Sequence, residues 1–168
     1  MSPNDTIGIA VQGAGNVSTG HLTAYLGNPR CRVLAIGSRT KEGAARKAQA
    51  VGLDPTTIGI YDSVEALLAH PGVDAVSICT PHSRHAKDAI AAAEAGKHCL
   101  IEKPVALNRE QLHAMDAAIA KAGVRTVCGF VLRWNPSIQA TKALIAEGML
   151  GEILYVQTDY WHNPEQSG

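Results

Sequence analysis

Short apolar runs alternate with alanine-rich stretches of helical periodicity along the first 131 residues. A short apolar run bounded by turn residues is typical of a strand that is buried on both faces, as in a parallel sheet. The pattern predicts six such strands: Ile7–Gln12, Arg32–Gly37, Thr57–Tyr61, Ala75–Cys79, His98–Ile101 and Thr126–Val131. The helices predicted between them are Val17–Leu26, Lys41–Ala50, Val64–Ala69, Arg84–Ala95 and Arg109–Ala122. Strict alternation of strand and helix predicts an α/β fold with a doubly wound parallel sheet.

The pattern changes after residue 131. Asn135 and Pro136 are typical of an N-cap followed by the first helical residue, and they predict a helix that ends near Glu147. Residues 152–161, "EILYVQTDYW", follow as the longest strand-like segment, and no later segment is present to pair with them. An unpaired strand favours association with another chain. We therefore expect one domain over residues 1–131 and the beginning of a second, truncated domain over residues 132–168.

Composition narrows the class of protein. The chain has 168 residues, with 15 basic and 15 acidic side chains, so its net charge is zero. This balance argues against nucleic acid or an anionic membrane as a partner. No apolar run reaches the ~20 residues of a transmembrane helix, and the first residues lack the layout of a signal peptide. The four cysteines form no C-x-x-C pair, which favours a cytoplasmic protein with reduced thiols.

The segment "GAGNVS" follows the first predicted strand and opens the first predicted helix. Gly13-x-Gly15-x-x-Ser18 matches the dinucleotide fingerprint, with serine in place of the third glycine. In that motif the first glycine permits a tight turn and the second lets the backbone approach a pyrophosphate at the helix N-terminus. The alternative is a tight turn without a ligand. The position inside a βαβ unit favours nucleotide binding in a Rossmann fold.

The end of the second strand indicates which dinucleotide is bound. NAD-binding folds commonly place an acidic residue there, where it binds the ribose 2′-hydroxyl. This chain has Ser38 and Arg39 there, and the first acidic residue after the strand is Glu42. Because a guanidinium binds phosphate and a carboxylate repels it, the segment favours NADP over NAD. The alternative is that Arg39 is an ordinary surface residue.

Two further segments carry candidate chemistry. In "CTPHSRH", His82 and His85 are three residues apart, but Asp88 is the only nearby acid and no cysteine completes a set at ligand spacing. We therefore expect no metal site, and we interpret both histidines as wall residues of a cofactor cleft. In "EKP", Lys103 follows a buried strand at the edge where open α/β sheets bind ligands. The alternative is a solvated lysine that happens to precede a proline.

"GAGNVS", "CTPHSRH", "EKP" and "GFVLRWNP" occur in this order and at fitting intervals. Together they resemble the glucose–fructose oxidoreductase, inositol dehydrogenase and MocA (Gfo/Idh/MocA) family of NAD(P)-dependent oxidoreductases. The resemblance implies a Rossmann domain followed by an α+β domain whose open sheet lines the substrate site and pairs subunits into a homo-oligomer. It also implies hydride transfer between NAD(P) and a hydroxyl or carbonyl carbon of a sugar, polyol or related compound.

The resemblance assigns roles to individual residues. The residues that it implies for cofactor binding are Gly13, Gly15, Asn16, Val17, Ser38, Arg39, Thr80, Pro81, His82, His85, Glu102, Lys103, Arg133 and Trp134. Lys103 is also the implied catalytic residue, because its ammonium would stabilise the negative charge that develops on a reacting oxygen.

One implied part of the active site has no counterpart in the chain. Family members supply a further Asp and His from a glycine-rich stretch of the second domain, and residue 168 lies about where that stretch would begin. We therefore expect this chain to be the cofactor-binding half of an oxidoreductase. The alternative is a catalytically silent nucleotide-binding or sensor module.

Overall fold

The computed structural model describes residues 6–161. It consists of two compact units: unit 1 is Met1–Gly129 and unit 2 is Phe130–Gly168. The strands of unit 1 are β1 (Ile7–Gln12), β2 (Cys31–Gly37), β3 (Gly59–Tyr61), β4 (Ala75–Ile78), β5 (His98–Ile101) and β6 (Thr126–Cys128). Its helices are α1 (Asn16–Leu26), α2 (Lys41–Ala50), α3 (Val64–Leu68), α4 (His85–Glu94) and α5 (Arg109–Ala122).

The six strands of unit 1 form one sheet in the order β3-β2-β1-β4-β5-β6, and every neighbouring pair is parallel. The chain moves outward from β1 to β3 on one side and then returns to place β4 beside β1. The strand order therefore reverses between β1 and β4, and open α/β sheets bind ligands outside the carboxyl ends of the strands at such a point. The predicted doubly wound α/β fold is confirmed.

Apolar side chains cover both faces of the sheet. Along β1, Val11 belongs to one buried cluster with Leu22 of α1 and Ala44 of α2, whereas Ala10 belongs to a second cluster that includes Met115 of α5. Neighbouring residues of a strand point to opposite faces, so an unbroken apolar run is needed to fill both clusters. The core thereby fixes the carboxyl ends of the strands, where the candidate site lies.

The start of α5 follows its predicted capping residue. The side chain of Asn108 accepts a hydrogen bond from the backbone N–H of Gln111 at 2.9 Å. The side chain of Gln111 accepts in turn from the backbone N–H of Leu107, at 3.0 Å, rather than from that of Asn108. The reciprocal bond of a capping box is therefore displaced by one residue.

The sixth strand is shorter than predicted. Its ladder with β5 ends at the pair Ile101 and Cys128, and Gly129 donates a last backbone hydrogen bond to Ile101 at 3.0 Å. The prediction of a strand to Val131 is wrong because β5 gives way to the "EKP" turn and offers no further partner.

Unit 2 contains a 3-10 turn, Val131–Trp134, and helix α6, Pro136–Ala146. Asn135 caps α6 as predicted, accepting from the backbone N–H of Ser137 at 2.9 Å. Residues 152–161, predicted to form a strand, have no regular secondary structure. A strand needs a neighbour for its backbone hydrogen bonds, and the described part of unit 2 contains no other strand. The polar tail that follows lies outside the described residues.

Candidate functional site

The turn between β1 and α1 requires glycine at its first position. Gly13 has a φ of +111°, and a Cβ at this position would lie 2.4 Å from the backbone oxygen of Cys79. Its N–H donates to the carbonyl of Gly37 at 2.8 Å. The absence of a side chain thus lets the ends of β1, β2 and β4 approach one another closely.

The N-terminus of α1 is open. Gly15 is its N-cap, no side chain caps the helix, and its first turn contains no acidic residue. No atom lies within 4 Å of the position that a Cβ on Gly15 would occupy. The backbone N–H groups of a helix N-terminus and the positive end of the helix dipole favour an anion at such a place. This space and its donors fit the pyrophosphate of a dinucleotide.

Ser18 occupies the third position of the fingerprint without disturbing the turn. Its side chain is fully buried, and its hydroxyl donates to the carbonyl of Gly15 at 2.6 Å. Serine is therefore small enough for the close helix–strand packing that glycine usually provides, and it satisfies a backbone group of the turn.

A cleft of about 810 Å³ lies at the carboxyl ends of the central strands. It brings together six residues predicted from the sequence: Gly13, Gly15, Ser38, Arg39, Thr80 and Pro81. Its walls also contain side chains that sequence reasoning missed, among them Gln12, Asp62, Glu65, Arg84 and Lys87. The rule that ligands bind at the carboxyl ends of strands would have identified Gln12 and Asp62, which stand at the ends of β1 and β3.

Gln12 carries a buried polar atom without a partner. Its side-chain oxygen makes no hydrogen bond to any residue of the described chain, although the residue is buried at the cleft. A Cβ on Gly37 would lie 2.0 Å from this oxygen, so the glutamine side chain covers that glycine. An unpaired buried acceptor is unfavourable. A hydrogen-bond donor on a bound molecule would satisfy it.

A basic recess of about 570 Å³ adjoins the cleft beyond the end of β2. It is lined by Ala14, Ser38, Arg39, Thr40, Gly43, Arg46, Lys47 and Ala50. Three of these side chains are cationic and none is acidic. Lys47 also donates to the hydroxyl of Thr19 at 2.8 Å, which links the recess to α1. The charge of the recess is complementary to a phosphate group.

The wall formed after β4 is held by internal contacts. The hydroxyl of Thr80 donates to the buried carboxylate of Asp88 at 2.9 Å, and Arg84 pairs with the same carboxylate at 3.0 Å. His82 is exposed, in a 3-10 turn. His85, predicted to line the cofactor, is instead 0% exposed. Its ring is turned to backbone carbonyls behind the wall because burial of an imidazole requires polar partners.

Lys103 lies in the turn that follows β5. Its side chain is exposed at the carboxyl edge of the sheet, and its peptide bond to Pro104 is cis. Glu102, predicted to face the cofactor, is 9% exposed, and its carboxylate contacts His21 at 2.9 Å. The other carboxylate oxygen accepts from the backbone N–H of Lys103 at 3.1 Å. Neither Glu102 nor Lys103 lines the 810 Å³ cleft.

A chain of polar contacts continues behind Glu102. The second ring nitrogen of His21 contacts the hydroxyl of Ser77 at 2.7 Å, and Tyr25 donates to that hydroxyl at 3.2 Å. Burial raises the pKa of Tyr25, although its bond to Ser77 acts in the opposite direction. Burial also raises the pKa of Cys79 to about 12, opposed by its contact with Ser77 and reinforced by the charge of Glu102. The hydroxyl of Tyr25 and the thiol of Cys79 therefore stay protonated at neutral pH.

Four predicted residues remain, two in α1 and two in unit 2. Asn16 and Val17 form the first turn of α1, where Val17 is exposed. Arg133 and Trp134 belong to the 3-10 turn of unit 2, in which the carbonyl of Arg133 accepts from the side chain of Gln139. Their contacts with a cofactor stay predictions.

The described residues, 6–161, contain no group of three or more His, Cys, Asp or Glu side chains arranged to hold a metal ion. None of their helices is both long and apolar enough to cross a membrane.

The cleft lies where a Rossmann fold binds its dinucleotide, and the sequence matches a family of that fold. Residues 7–130 match the family model GFO_IDH_MocA, described as an oxidoreductase family with an NAD-binding Rossmann fold. The chain belongs to this family. The resemblance inferred from the four sequence segments is thereby confirmed.

Individual Gfo/Idh/MocA relatives are similar over most of this chain. Inositol 2-dehydrogenase of Rhizobium meliloti is 32% identical over 148 residues, which are 88% of this chain and 43% of the relative. A scyllo-inositol dehydrogenase of Lactobacillus casei, solved with NAD(H) and scyllo-inositol, has a TM-score of 0.79 and 25% identity over 88% of this chain and 43% of its own. A 3-ketoreductase of Actinomadura kijaniata, solved with NADP, has a TM-score of 0.76 and 31% identity, and the match covers 88% of this chain and 46% of the ketoreductase. The chain therefore spans less than half the length of these relatives.

Proposed function

We propose that this chain binds a nicotinamide dinucleotide at the carboxyl edge of the unit 1 sheet, with NADP preferred over NAD. It contributes Lys103 to hydride transfer at a hydroxyl or carbonyl carbon of a sugar, polyol or related compound. The observation that carries the proposal is the open N-terminus of α1, where Gly15 leaves space and no side chain caps the helix. Relatives named as inositol dehydrogenases support the substrate class.

Three groups of residues bind different parts of the dinucleotide. Backbone N–H groups after Gly15 bind the pyrophosphate, because they and the helix dipole point into the open space. Ser38 and Arg39 bind the ribose of the adenosine half, since both line the cleft and the basic recess. Thr80 and Pro81 form the wall beside the middle of the molecule. When it is bound, the nicotinamide ring supplies or accepts the hydride.

The preference for NADP follows from the charge of the basic recess. Arg39, Arg46 and Lys47 line a space that no carboxylate shares. The acidic side chains Asp62 and Glu65 line the neighbouring cleft instead. A ribose 2′-phosphate would gain charge-assisted hydrogen bonds in the recess, whereas a 2′-hydroxyl would lack the carboxylate that usually binds it.

Lys103 acts on the substrate oxygen. Its ammonium stabilises the negative charge that develops when an alcohol is oxidised, and it polarises a carbonyl when the reaction runs in reverse. Its exposed side chain follows β5 and is accessible to a molecule bound at the carboxyl edge of the sheet. The turn is fixed by contacts of the residues on either side, Glu102 and Pro104.

Calorimetric titration of the unmodified 168-residue chain with NADP and with NAD tests the proposal. We expect saturable binding of at least one dinucleotide, with NADP the tighter ligand. A thermal-shift measurement under the same conditions provides an independent readout. Absence of both heat and thermal shift with either dinucleotide would contradict the proposed function.

A further inference from the structure

Lys103 lies between two residues that are each held by a buried or nearly buried histidine. On one side, His21 of α1 contacts the carboxylate of Glu102 at 2.9 Å. On the other side, His85 of α4 contacts the backbone carbonyl of Pro104 at 2.7 Å. The two histidines come from different helices and reach the same turn, so the turn is fixed from both directions.

The contact with His21 reaches the backbone of Lys103 itself. The side chains of His21 and Glu102 are only 13% and 11% exposed, so their contact is well shielded from water. One carboxylate oxygen faces Nε2 of His21, and the other accepts from the N–H of Lys103 at 3.1 Å. The carboxylate therefore connects α1 to the residue proposed to act on the substrate. Loss of the histidine would leave a buried carboxylate with one partner fewer.

The surroundings of His21 determine which ring nitrogen carries a proton. Tyr25 donates to the hydroxyl of Ser77, which leaves the Ser77 proton available to Nδ1 of His21 at 2.7 Å. Nε2 faces a carboxylate oxygen, which only accepts hydrogen bonds. A proton on Nε2 gives the carboxylate a donor and leaves Nδ1 able to accept from Ser77. The geometry thus assigns the Nε2–H donor to Glu102.

The contacts of His85 connect the two walls of the site. Nδ1 contacts the carbonyl of Pro104 at 2.7 Å, and Nε2 contacts the carbonyl of Thr80 at 2.8 Å. Thr80 ends the wall after β4, and Pro104 belongs to the turn after β5. Because a carbonyl oxygen only accepts, a hydrogen bond to Pro104 requires a proton on Nδ1 and one to Thr80 requires a proton on Nε2, so a neutral ring makes only one of the two.

We propose that His21 and His85 are positioning residues that hold the Lys103 turn in place through Glu102 and Pro104. The inference rests on the function proposed above for Lys103. Neither histidine lines the 810 Å³ cleft, so their effect on the reaction is transmitted through the turn. A merely structural histidine would stabilise the whole fold, whereas a positioning histidine acts first on the residues between the two contacts.

Backbone ¹⁵N NMR of the unmodified chain and its variants tests the role of His21. In His21→Leu, the amide of Lys103 should exchange with solvent at least about tenfold faster, the effect of losing a charge-assisted hydrogen bond. His21→Gln should restore most of the protection, because its amide group donates to Glu102 in place of Nε2. His98→Leu is the matched control: this histidine accepts from the N–H of Arg125 at the opposite end of β5, and its loss should leave Lys103 unchanged.

Two results would overturn the role of His21. One is faster exchange spread evenly over α1 and β5, which would indicate a general loss of stability. The other is a His21→Gln variant no better protected at Lys103 than His21→Leu. Either result counts against the positioning role whether or not the chain binds a dinucleotide. Conversely, a chain that binds neither NADP nor NAD refutes the proposed function without altering the exchange result.

Imidazole ¹⁵N spectra of the unmodified chain test both histidines without a substitution, which matters because His85 is fully buried. We expect a proton on Nε2 of His21 and a proton on Nδ1 of His85. His21 protonated on Nδ1 alone, or His85 protonated on Nε2 alone, would exclude the corresponding hydrogen bond and overturn that half of the proposal. His85→Asn, which keeps a donor near Pro104, should retain more protection at Lys103 than His85→Leu.

Discussion

The backbone oxygen of Cys79 lies 2.4 Å from the position that a Cβ on residue 13 would occupy. Gly13 also has a φ of +111°, in the region that favours glycine. Gly15 differs in both respects, because its φ is −77° and the space beside it is open. The two glycines of the fingerprint therefore have separable roles, one in the folded structure and the other in the ligand binding proposed above.

Gly13→Ala is expected to destabilise the protein strongly. The strained backbone alone costs about 1–3 kcal/mol, and the clash with Cys79 adds to it. Urea unfolding monitored by circular dichroism measures the loss. An alanine variant as stable as the unmodified chain would show that the ends of β1 and β4 do not lie as close as the structure has them.

Gly15→Ala is expected to lower the affinity for dinucleotide while changing the free energy of unfolding by less than about 1 kcal/mol. Its methyl group would occupy the open space and keep phosphate from the backbone donors, at a cost of about tenfold or more in Kd. Gly20→Ala is the matched control, since it lies in α1 with no atom near its Cβ position. That change should stabilise the helix slightly and leave Kd unchanged. Equal affinities in all three proteins would contradict the site.

Arg39→Ala is expected to raise the Kd for NADP by about 10- to 100-fold and the Kd for NAD much less, because only NADP carries the 2′-phosphate. Arg32→Ala removes the same charge near the amino end of β2, where its side chain is exposed, and serves as the control. Calorimetric titration with both dinucleotides measures the two ratios. Equal losses for NADP and NAD would mean that Arg39 does not face the phosphate.

Lys103→Met is expected to lower kcat by about 10²–10³ in a protein that includes the second domain, with little effect on dinucleotide affinity. Lys121→Met, at the exposed end of α5, is the control. In the 168-residue chain we expect negligible turnover of sugars and polyols. Turnover of this chain that disappears with Lys103→Met would show that the lysine works without a second domain. Dinucleotide binding without turnover in the longer protein would favour the nucleotide-binding or sensor alternative.

Two buried thiols make stability depend on alkaline pH. Burial raises the pKa of Cys79 to about 12 and that of Cys99 to about 11, from an ordinary value of 9.0. Because the unfolded thiols ionise first, their contribution is complete below pH 9 and is lost as the pH rises towards these values. Each thiol contributes a slope of up to about 1.4 kcal/mol per pH unit in that window. Urea unfolding at several pH values should show that the free energy of unfolding declines less steeply with pH in Cys99→Ala than in the unmodified chain. An identical decline would show that ionisation of Cys99 is not its cause.

Much of unit 1 could be predicted from local sequence. Apolar runs located the strands because a parallel sheet needs both faces covered, and Asn108 located the start of α5 because its side chain caps the helix. Gly13 and Ser18 were identified because they belong to a short contiguous motif. In each case the cause of the structure lies within a few residues of the feature that it explains.

The errors and omissions depend on distant partners. The length of β6 is limited by where β5 ends, and residues 152–161 form no strand without a neighbour. His21 was missed because nothing in its helix indicates that Glu102, 81 residues away, faces it. The sequence position of His85 likewise gives no sign that both ring nitrogens face carbonyls.

Residues 152–161 also give a prediction about association. Leu154 is 86% exposed and Trp161 is 92% exposed, and such a segment favours pairing with another chain. We expect concentration-dependent self-association in light scattering, reduced in Leu154→Lys. Leu107→Lys, an exposed position in unit 1, is the control. A monomer at all concentrations, with slow amide exchange in this segment, would contradict the prediction.

Helix α1 begins after Gly15 and presents His21 to Glu102 six residues later. Six residues of α-helix span about 9 Å, and backbone hydrogen bonds keep this length constant. The turn proposed for pyrophosphate and the turn that carries Lys103 are thus separated by a rigid spacer. Inserting or deleting one residue within it would rotate His21 by about 100° around the helix axis, away from Glu102. The number of residues in this interval is therefore constrained even at positions such as Gly20, where a different side chain is tolerated.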